Sequence, residues 1–210
     1  MTYPIIIRDW QQCDYQIVWQ AMREFVDNRM ATTADELWLV EHPAVYTLGQ
    51  SGNLKHLLNP QTIPIVRSDR GGQVTYHGPG QLIVYVLVDL RRRKMGVRDL
   101  VNLLENSVIN FLQQLGIVAT ARKEAPGVYV AEKKICSLGL RIRKGCSYHG
   151  LSLNIAMELE PFTRINPCGY KNLVMTQLQD LLPGCEFVTI KKQFVNHLQE
   201  VFGYNESFSD

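Results

Sequence analysis

Between residues 14 and 29 apolar side chains return every three or four positions: Val18, Met22 and Phe25 fall in line, with Trp19 and Val26 beside them. That is the period of a helix with one buried stripe, and Asp14 stands where an N-cap would begin it and Arg29 near where it would end. A longer stripe runs through Leu100, Leu103, Leu104, Val108, Phe111, Leu112 and Leu115. It predicts a helix over residues 97–115, closed by Gly116 in the C′ position. Residues 175–181 read as a short helical stretch, and residues 189–202 as a last helix with Phe194, Leu198, Val201 and Phe202 on one side and Gly203 as its stop.

Elsewhere the apolar positions come in short runs bounded by turn formers, the mark of strands. Such runs cover residues 4–8, 37–40, 44–48, 63–67, 82–90, 127–130, 134–142 and about 148–158. His42-Pro43 splits the second from the third, because the residue before a proline is pushed out of the helical region. Residues 51–60 read as loop with one helical turn. Glu132-Lys133 and Arg143-Lys144-Gly145 are connections too tight for a crossover, so the later strands should pair antiparallel. The expected architecture is α/β (α+β): a mixed, largely antiparallel sheet flanked by helices, in a single domain over residues 1–210. A chain of this length buries roughly 70% of the surface its unfolded form exposes, enough for a core without staples.

Composition narrows the partners more than the fold. A hydrophobic share of 46% and a charged share of 20% are ordinary for a soluble globular protein. No apolar run approaches the 18 or so residues needed to span a bilayer, and Met1-Thr2-Tyr3-Pro4 opens no secretory signal pattern, so no membrane partner is expected. Five cysteines without a CxxC pair argue against a disulfide framework and for free thiols in a reducing compartment, with the cytoplasm as the expected location. The net charge of +2 is too small to imply nucleic acid. Basic residues do cluster in Arg91-Arg92-Arg93-Lys94, Lys133-Lys134 and Arg141-Ile142-Arg143-Lys144, as solvated strand ends or as a docking rim.

The densest candidate chemistry lies in Arg70-Gly71-Gly72-Gln73-Val74-Thr75-Tyr76-His77-Gly78-Pro79-Gly80-Gln81, which runs straight into an apolar strand. Glycines there let the main chain come close to a ligand beside a cation and an imidazole. Two further segments stand out: Lys134-Ile135-Cys136-Ser137-Leu138-Gly139-Leu140-Arg141-Ile142 continuing through Cys146-Ser147-Tyr148-His149-Gly150-Leu151-Ser152-Leu153-Asn154, and Ile165-Asn166-Pro167-Cys168-Gly169-Tyr170. Cys168 sits where neither helical nor strand period holds, so its side chain is a candidate for exposure to a pocket, although buried structural thiols are the commoner case. Strand alternation sends Lys133 and Lys134 to opposite faces, so only one of them points inward. Cys136, Cys146, His149 and Cys168 also invite a zinc site, but their spacing fits no common zinc module and no metal is expected.

In this order and at these separations the three segments resemble the lipoyl(octanoyl) transferases, which move an octanoyl group from acyl carrier protein to a lysine of a lipoyl domain. The likeness extends from Glu41-His42-Pro43-Ala44-Val45-Tyr46-Thr47-Leu48-Gly49 to Gln177. It implies the fold of biotin and lipoate protein ligase catalytic domains. It also implies that Cys168 takes the acyl group as a thioester, with Lys134 favouring the thiolate and burial depressing the lysine's own pKa. Substrate-binding residues implied are Arg70, Gly71, Gly72, Gln73, Val74, Thr75, Tyr76 and His77, then Tyr85, then Ser137, Leu138 and Gly139, and finally His149, Gly150 and Leu151. His77 and His149 would orient the Lys134–Cys168 pair or shuttle protons, Arg70 would fix the loop or meet substrate, and Tyr85 would present its hydroxyl to the pocket. Tyr76, Leu138, Leu140 and Leu153 are candidate walls of an acyl slot, and main chain near Gly139 or Gly150 a candidate oxyanion site.

By the same resemblance the donor partner is acyl carrier protein, which brings the acyl group on its phosphopantetheine. The acceptors are lipoyl domains of 2-oxoacid dehydrogenase E2 subunits and the glycine cleavage H protein. Neither ATP nor another cofactor is implied. Two other readings stay open on the residues alone: an ATP-dependent lipoate or biotin ligase of the same fold, and a non-catalytic module that binds acyl carrier protein or lipoyl domains through its basic rim.

Overall fold

Strand alternation decides on which side of the central sheet each core forms. The computed structural model describes residues 5–203. In chain order it has β1 (Ile5–Gln12), α1 (Tyr15–Asn28), β2 (Asp35–Glu41), β3 (Val45–Leu48), β4 (Ile65–Arg67), β5 (Val74–His77) and β6 (Gln81–Leu87). Then follow α2 (Val97–Gln114), β7 (Thr120–Ala121), β8 (Gly127–Val130), β9 (Lys133–Arg143), β10 (Cys146–Asn154), α3 (Leu178–Leu181) and α4 (Phe187–Val201). Seven strands form one sheet in the order β1-β2-β6-β10-β9-β8-β7, and β4-β3-β5 form a second, smaller one. In the large sheet only the β1–β2 pair is parallel; in the small one, β3–β4.

Leu37 and Leu39 of β2 face a core built with Leu82, Val84 and Val86 of β6 and with Leu100, Leu104, Phe111, Phe194 and Leu198 of α2 and α4. Trp38 and Val40 point the other way and pack with Ile83, Tyr85 and Leu87 against Val18, Met22 and Val26 of α1. Every residue of β6 and β10 is buried, so these strands read as unbroken runs rather than alternating ones. A third cluster joins Tyr46, Leu48, Val74 and Tyr76 of the small sheet to Met157, Phe162, Ile165 and Met175.

The expected mixed, mainly antiparallel sheet with flanking helices is present, and the differences have local causes. Asp14 caps α1 by accepting from the N–H groups of Gln16 and Ile17. Gly116 and Gly203 follow their helices at φ +78° and +77°, the left-handed stop that glycine tolerates. β1 runs on to Gln12 because β2 offers a parallel partner along its length, while Pro4 lies outside the described residues. β10 starts at Cys146 and ends at Asn154, not near 158, because the N–H groups of Ile155 and Ala156 both turn to the Gly80 carbonyl. The stretch at 175–181 is helical only from Leu178, since Val174 and Thr176 are held extended against Lys134. The runs at 44–48 and 63–67 leave the main sheet altogether, and β7 had no signal in the sequence.

Candidate functional site

A β-bulge in β9 aims Lys134 inward. Val128 pairs with Cys136 and the next residue, Tyr129, pairs with Lys134, so Ile135 is an extra residue on the β9 side. Lys134, Ile135 and Cys136 are all buried, in a sheet covered on both faces, while Lys133 stays exposed. Lys134 is only 1% exposed. Its N–H donates to Val174 O and its carbonyl accepts from Thr176 N, each at 2.9 Å. The Nζ donates to Pro126 O at 2.8 Å and lies 3.2 Å from Cys168 Sγ.

Gly127 makes room for this amine. A Cβ there would sit 2.3 Å from Lys134 Cε and 2.5 Å from Cys136 O, at a φ of +140° that disfavours side chains in any case. Cys168 arrives from the opposite side on the single turn Pro167–Gly169, itself left-handed at φ 56°, and is partly exposed. Burial pulls the Lys134 pKa down, but the Cys168 sulfur and Tyr129 beside it outweigh that pull and the net shift is upward. The expected net depression is therefore corrected: the paired charge wins over burial.

A chain of hydrogen bonds ties the glycine-rich loop to the segment paired with the lysine's strand. Arg70 donates to Thr47 O, Thr47 Oγ1, Gly71 O and Gln73 O, so its guanidinium fixes the loop. Thr47 Oγ1 lies 3.3 Å from His77 Nε2, and His77 Nδ1 lies 2.7 Å from Gln81 Oε1. Gln81 Nε2 donates to Asn154 Oδ1, and Asn154 Nδ2 to Thr176 O. Because Gln81 Oε1 can only accept, Nδ1 carries the proton and Nε2 receives the threonine hydroxyl. Burial, the largest cause, depresses the His77 pKa to about 3, which keeps the ring neutral as this chain of bonds requires.

His149 and Tyr85 are held by partners far away in sequence. His149 Nε2 donates to Asp69 Oδ1 at 2.8 Å, and Trp19 Nε1 and the Tyr148 hydroxyl donate to the same carboxylate. Burial raises the Asp69 carboxyl, but these donors outweigh it and leave the group far below the usual range. The His149 pKa is lowered, by burial first and against the pull of Asp69. The Tyr85 hydroxyl donates to His42 Nε2 at 2.7 Å rather than to the pocket, so only its ring remains for the cavity wall. His42, 0% exposed, donates Nδ1 to Cys13 O, and burial lowers its pKa to about 4.

The Lys134–Cys168 pair opens on a cavity of about 510 Å³. Arg70, Gly71, Gly72, Gln73, Val74, Thr75, His77, Tyr85, Ser137, Leu138, Gly139, His149, Gly150 and Leu151 all line it. Gly139 and Gly150 face each other in register across β9 and β10, leaving a patch without side chains in the wall. Tyr76 does not belong there: alternation in β5 turns it away from Thr75 and His77, and its ring packs on Tyr46 and Phe162. Leu153 likewise lies in the main core and is not a wall, whereas Leu138 and Leu140 are. Sequence reasoning missed Tyr15, Ile83, Val97, Val101, Ala125 and Pro126 in the lining. It also missed Asp69 and Gly127 behind it. Asp69 and Gly127 adjoin quoted segments, but Pro126 acts through a carbonyl, which no residue type advertises.

Physically, the site offers a partly exposed cysteine beside a buried amine, both lining a cavity whose wall is largely apolar. Such a pair can attack an electrophilic carbonyl and hand a proton to the group that leaves. Among the described residues no three His, Cys, Asp or Glu side chains gather as a metal site, and no helix is long and apolar enough to cross a membrane.

Residues 14–199 match the lipoyl protein ligase A/B catalytic domain. An octanoyltransferase of Colwellia psychrerythraea is 58% identical over 92% of this chain and 83% of its own. One from Vibrio vulnificus is 54% identical over 98% and 94%, and one from Pectobacterium atrosepticum 57% identical over 96% and 88%. Among solved structures, a lipoate-protein ligase A bound with ATP superposes with a TM-score of 0.77 at 15% identity, over 96% of this chain and 85% of that one. Biotin protein ligase from Aquifex aeolicus gives 0.56 at 14% identity, over 96% and 70%. The fold is that of these ligase catalytic domains.

Proposed function

Because the chain belongs to the lipoyl protein ligase A/B catalytic family, as an acyltransferase of its octanoyltransferase branch, we propose that it moves octanoyl from acyl carrier protein to a lipoyl-domain lysine through Cys168. The octanoyl transfer itself, as a step toward protein-bound lipoate, rests on the relatives. One observation supports the rest: Lys134 Nζ stands 3.2 Å from Cys168 Sγ in the lining of the cavity.

In the first half-reaction the Cys168 thiolate attacks the thioester carbonyl carbon. The carbon–sulfur bond to the carrier breaks, and the departing thiolate takes a proton from the Lys134 ammonium. Octanoyl now sits on Cys168, and the charge that held the lysine's pKa up is gone. Burial, the largest single influence on Lys134, is then opposed by Tyr129 but no longer by the sulfur, which shifts the lysine toward its neutral form and readies it to act as a base. In the second half-reaction the acceptor's ε-amine attacks the Cys168 thioester and its excess proton passes to Lys134. The amide forms and Cys168 leaves as the thiolate, which restores the starting pair. One thioester replaces another and then yields an amide, so no ATP and no metal enters. An acyl tail of octanoyl length gains roughly 5 kcal/mol from burial before association costs, and Ile83, Val97, Val101, Leu138 and Leu140 offer the apolar wall for it. Acceptors would be lipoyl domains of 2-oxoacid dehydrogenase E2 subunits and glycine cleavage H protein, met in the cytoplasm.

Intact-mass spectrometry after mixing with octanoyl acyl carrier protein should show one octanoyl adduct, absent in Cys168→Ala. An adduct that survives in Cys168→Ala, or a transfer that requires ATP, would overturn the reading, the latter in favour of a ligase.

A further inference from the structure

A second hollow, of about 590 Å³, adjoins the first and shares Glu124, Ala125 and Tyr170 with it. The partition is thin: the Tyr170 hydroxyl donates to Glu124 O at 2.5 Å. Tyr129 connects the hollow to the chemistry, since its ring has Lys134 Nζ 5.4 Å from the centroid and the Arg122 guanidinium at 4.3 Å. The rim differs from that of the first cavity. Arg122 pairs with Glu132, but the side chains of Lys133 and Lys171 make no ion pair or hydrogen bond among the described residues. Asn172 adds an amide to the same wall.

We propose that this hollow receives the phosphopantetheine arm of the thioester donor, with Lys133 and Lys171 meeting its phosphate; the proposal rests on the acyl-transfer reading above. A thioester has two ends, and both must leave the reacting sulfur in opposite directions. The apolar cavity suits the acyl end. On the other side stand two unengaged ammonium groups and an amide, which suit an anionic chain that itself carries amides. The competing occupant, the acceptor lysine, brings a cation, and the three cations of the lining, Arg122, Lys133 and Lys171, outnumber its two carboxylates, Glu124 and Glu132.

The test compares octanoyl-phosphopantetheine with octanoyl-pantetheine, two donors with the same reacting bond that differ only in the phosphate. Octanoylation of Cys168 is followed by intact mass at low salt. Wild-type protein should prefer the phosphorylated donor about tenfold in kcat/KM, and the preference should shrink as salt is added. In the Lys133→Ala/Lys171→Ala double variant the two donors should become equal within about twofold, and Lys171→Glu should reverse the order. Both lysines are solvent-facing, so the fold should survive. No preference in the wild type, or a preference that persists in the double variant, overturns the arm site while leaving the acyl-enzyme intact. If the double variant instead slows only the transfer from octanoyl-Cys168 to a lipoyl domain, the hollow belongs to the acceptor and the proposal fails. If neither donor acylates Cys168, both the arm site and the reading beneath it fall.

Discussion

The two halves of the Lys134–Cys168 pair are held in opposite ways. Lys134 is fixed from every side: a bulged strand, backbone bonds to Val174 and Thr176, the Pro126 carbonyl on its amine, and a bonded chain that leads from Thr176 back to Arg70. Cys168 rides on one turn of backbone, left-handed and partly open to solvent, held by the bonds from Gly169 N to Asn166 O and Tyr170 N to Pro167 O. That turn is tied to the rest at its ends, by Asn166 N to His56 O and the Tyr170 hydroxyl to Glu124 O. An acid–base group must keep its distance to whatever reacts, so a rigid wall suits it. A nucleophile that carries a bulky acyl group between two large partners needs access more than rigidity. The division of labour lies in how each residue is anchored as much as in its type.

The severest way to break that contrast is to crowd the wall. In Gly127→Ala the new methyl would overlap Lys134 Cε and the Cys136 carbonyl, and the carbonyl cannot retreat without breaking the sheet. The amine should be pushed off both Pro126 O and Cys168 Sγ. Transfer should fall at least about 100-fold, the effect of a displacement near 1 Å at a reacting group, and stability should drop by about 1–3 kcal/mol from overpacking. Single-turnover rates and urea unfolding measure the two. A rate within tenfold of wild type would mean that the turn, not the wall, sets the geometry.

Legibility in the sequence divides along the same line. Cys168 and Lys134 were singled out by the resemblance of whole segments: the lack of period around Cys168 made it only a candidate for exposure, and strand alternation left one of Lys133 and Lys134 to face inward without saying which. The helical stripes of α1 and α2 gave their faces and ends. What the sequence hid was long-range or carried by backbone. The bulge at Ile135, which shifts the register at Lys134, depends on pairing with β8. Asp69 meets His149 across eighty positions of chain. Nothing in the runs at 44–48 and 63–67 announces that they leave the main sheet, because a short buried strand looks alike in either. Tyr76 was a different failure: the alternation that separated Lys133 from Lys134 also separates Tyr76 from His77, and a motif read as a block concealed it.

Acid should loosen the wall. Burial holds the His42 and His77 pKa values to about 4 and about 3. In the unfolded chain both titrate near pH 6.5. Below that the unfolded state binds protons that the folded state refuses, so the stability these histidines allow is full above about pH 6.5 and is lost as pH falls toward their folded values. The slope is about 1.4 kcal/mol per pH unit for each, or roughly 2 kcal/mol per histidine between pH 6.5 and 5. Urea midpoints across that window should fall steeply for wild type and markedly less so for His77→Gln. Equal slopes in the two proteins would mean that His77 is not held neutral inside the wall, and the bonded chain from Arg70 to Thr176 would lose its middle link.

The smallest effect tests the turn itself. At φ 56° and ψ 14° Cys168 occupies the left-handed region, which disfavours any residue with a Cβ by about 1–2 kcal/mol and which glycine enters freely. Removing the sulfur in two ways separates strain from chemistry. Cys168→Ala and Cys168→Gly should both lose the octanoyl adduct, yet Cys168→Gly should be the more stable by about 1 kcal/mol, a reversal of the usual cost of glycine. Thermal or urea unfolding of the pair decides it. A left-handed nucleophile implies that the fold gives up a little stability to present the sulfur over the lysine, and equal stabilities would remove that strain from the comparison, leaving the turn merely loose.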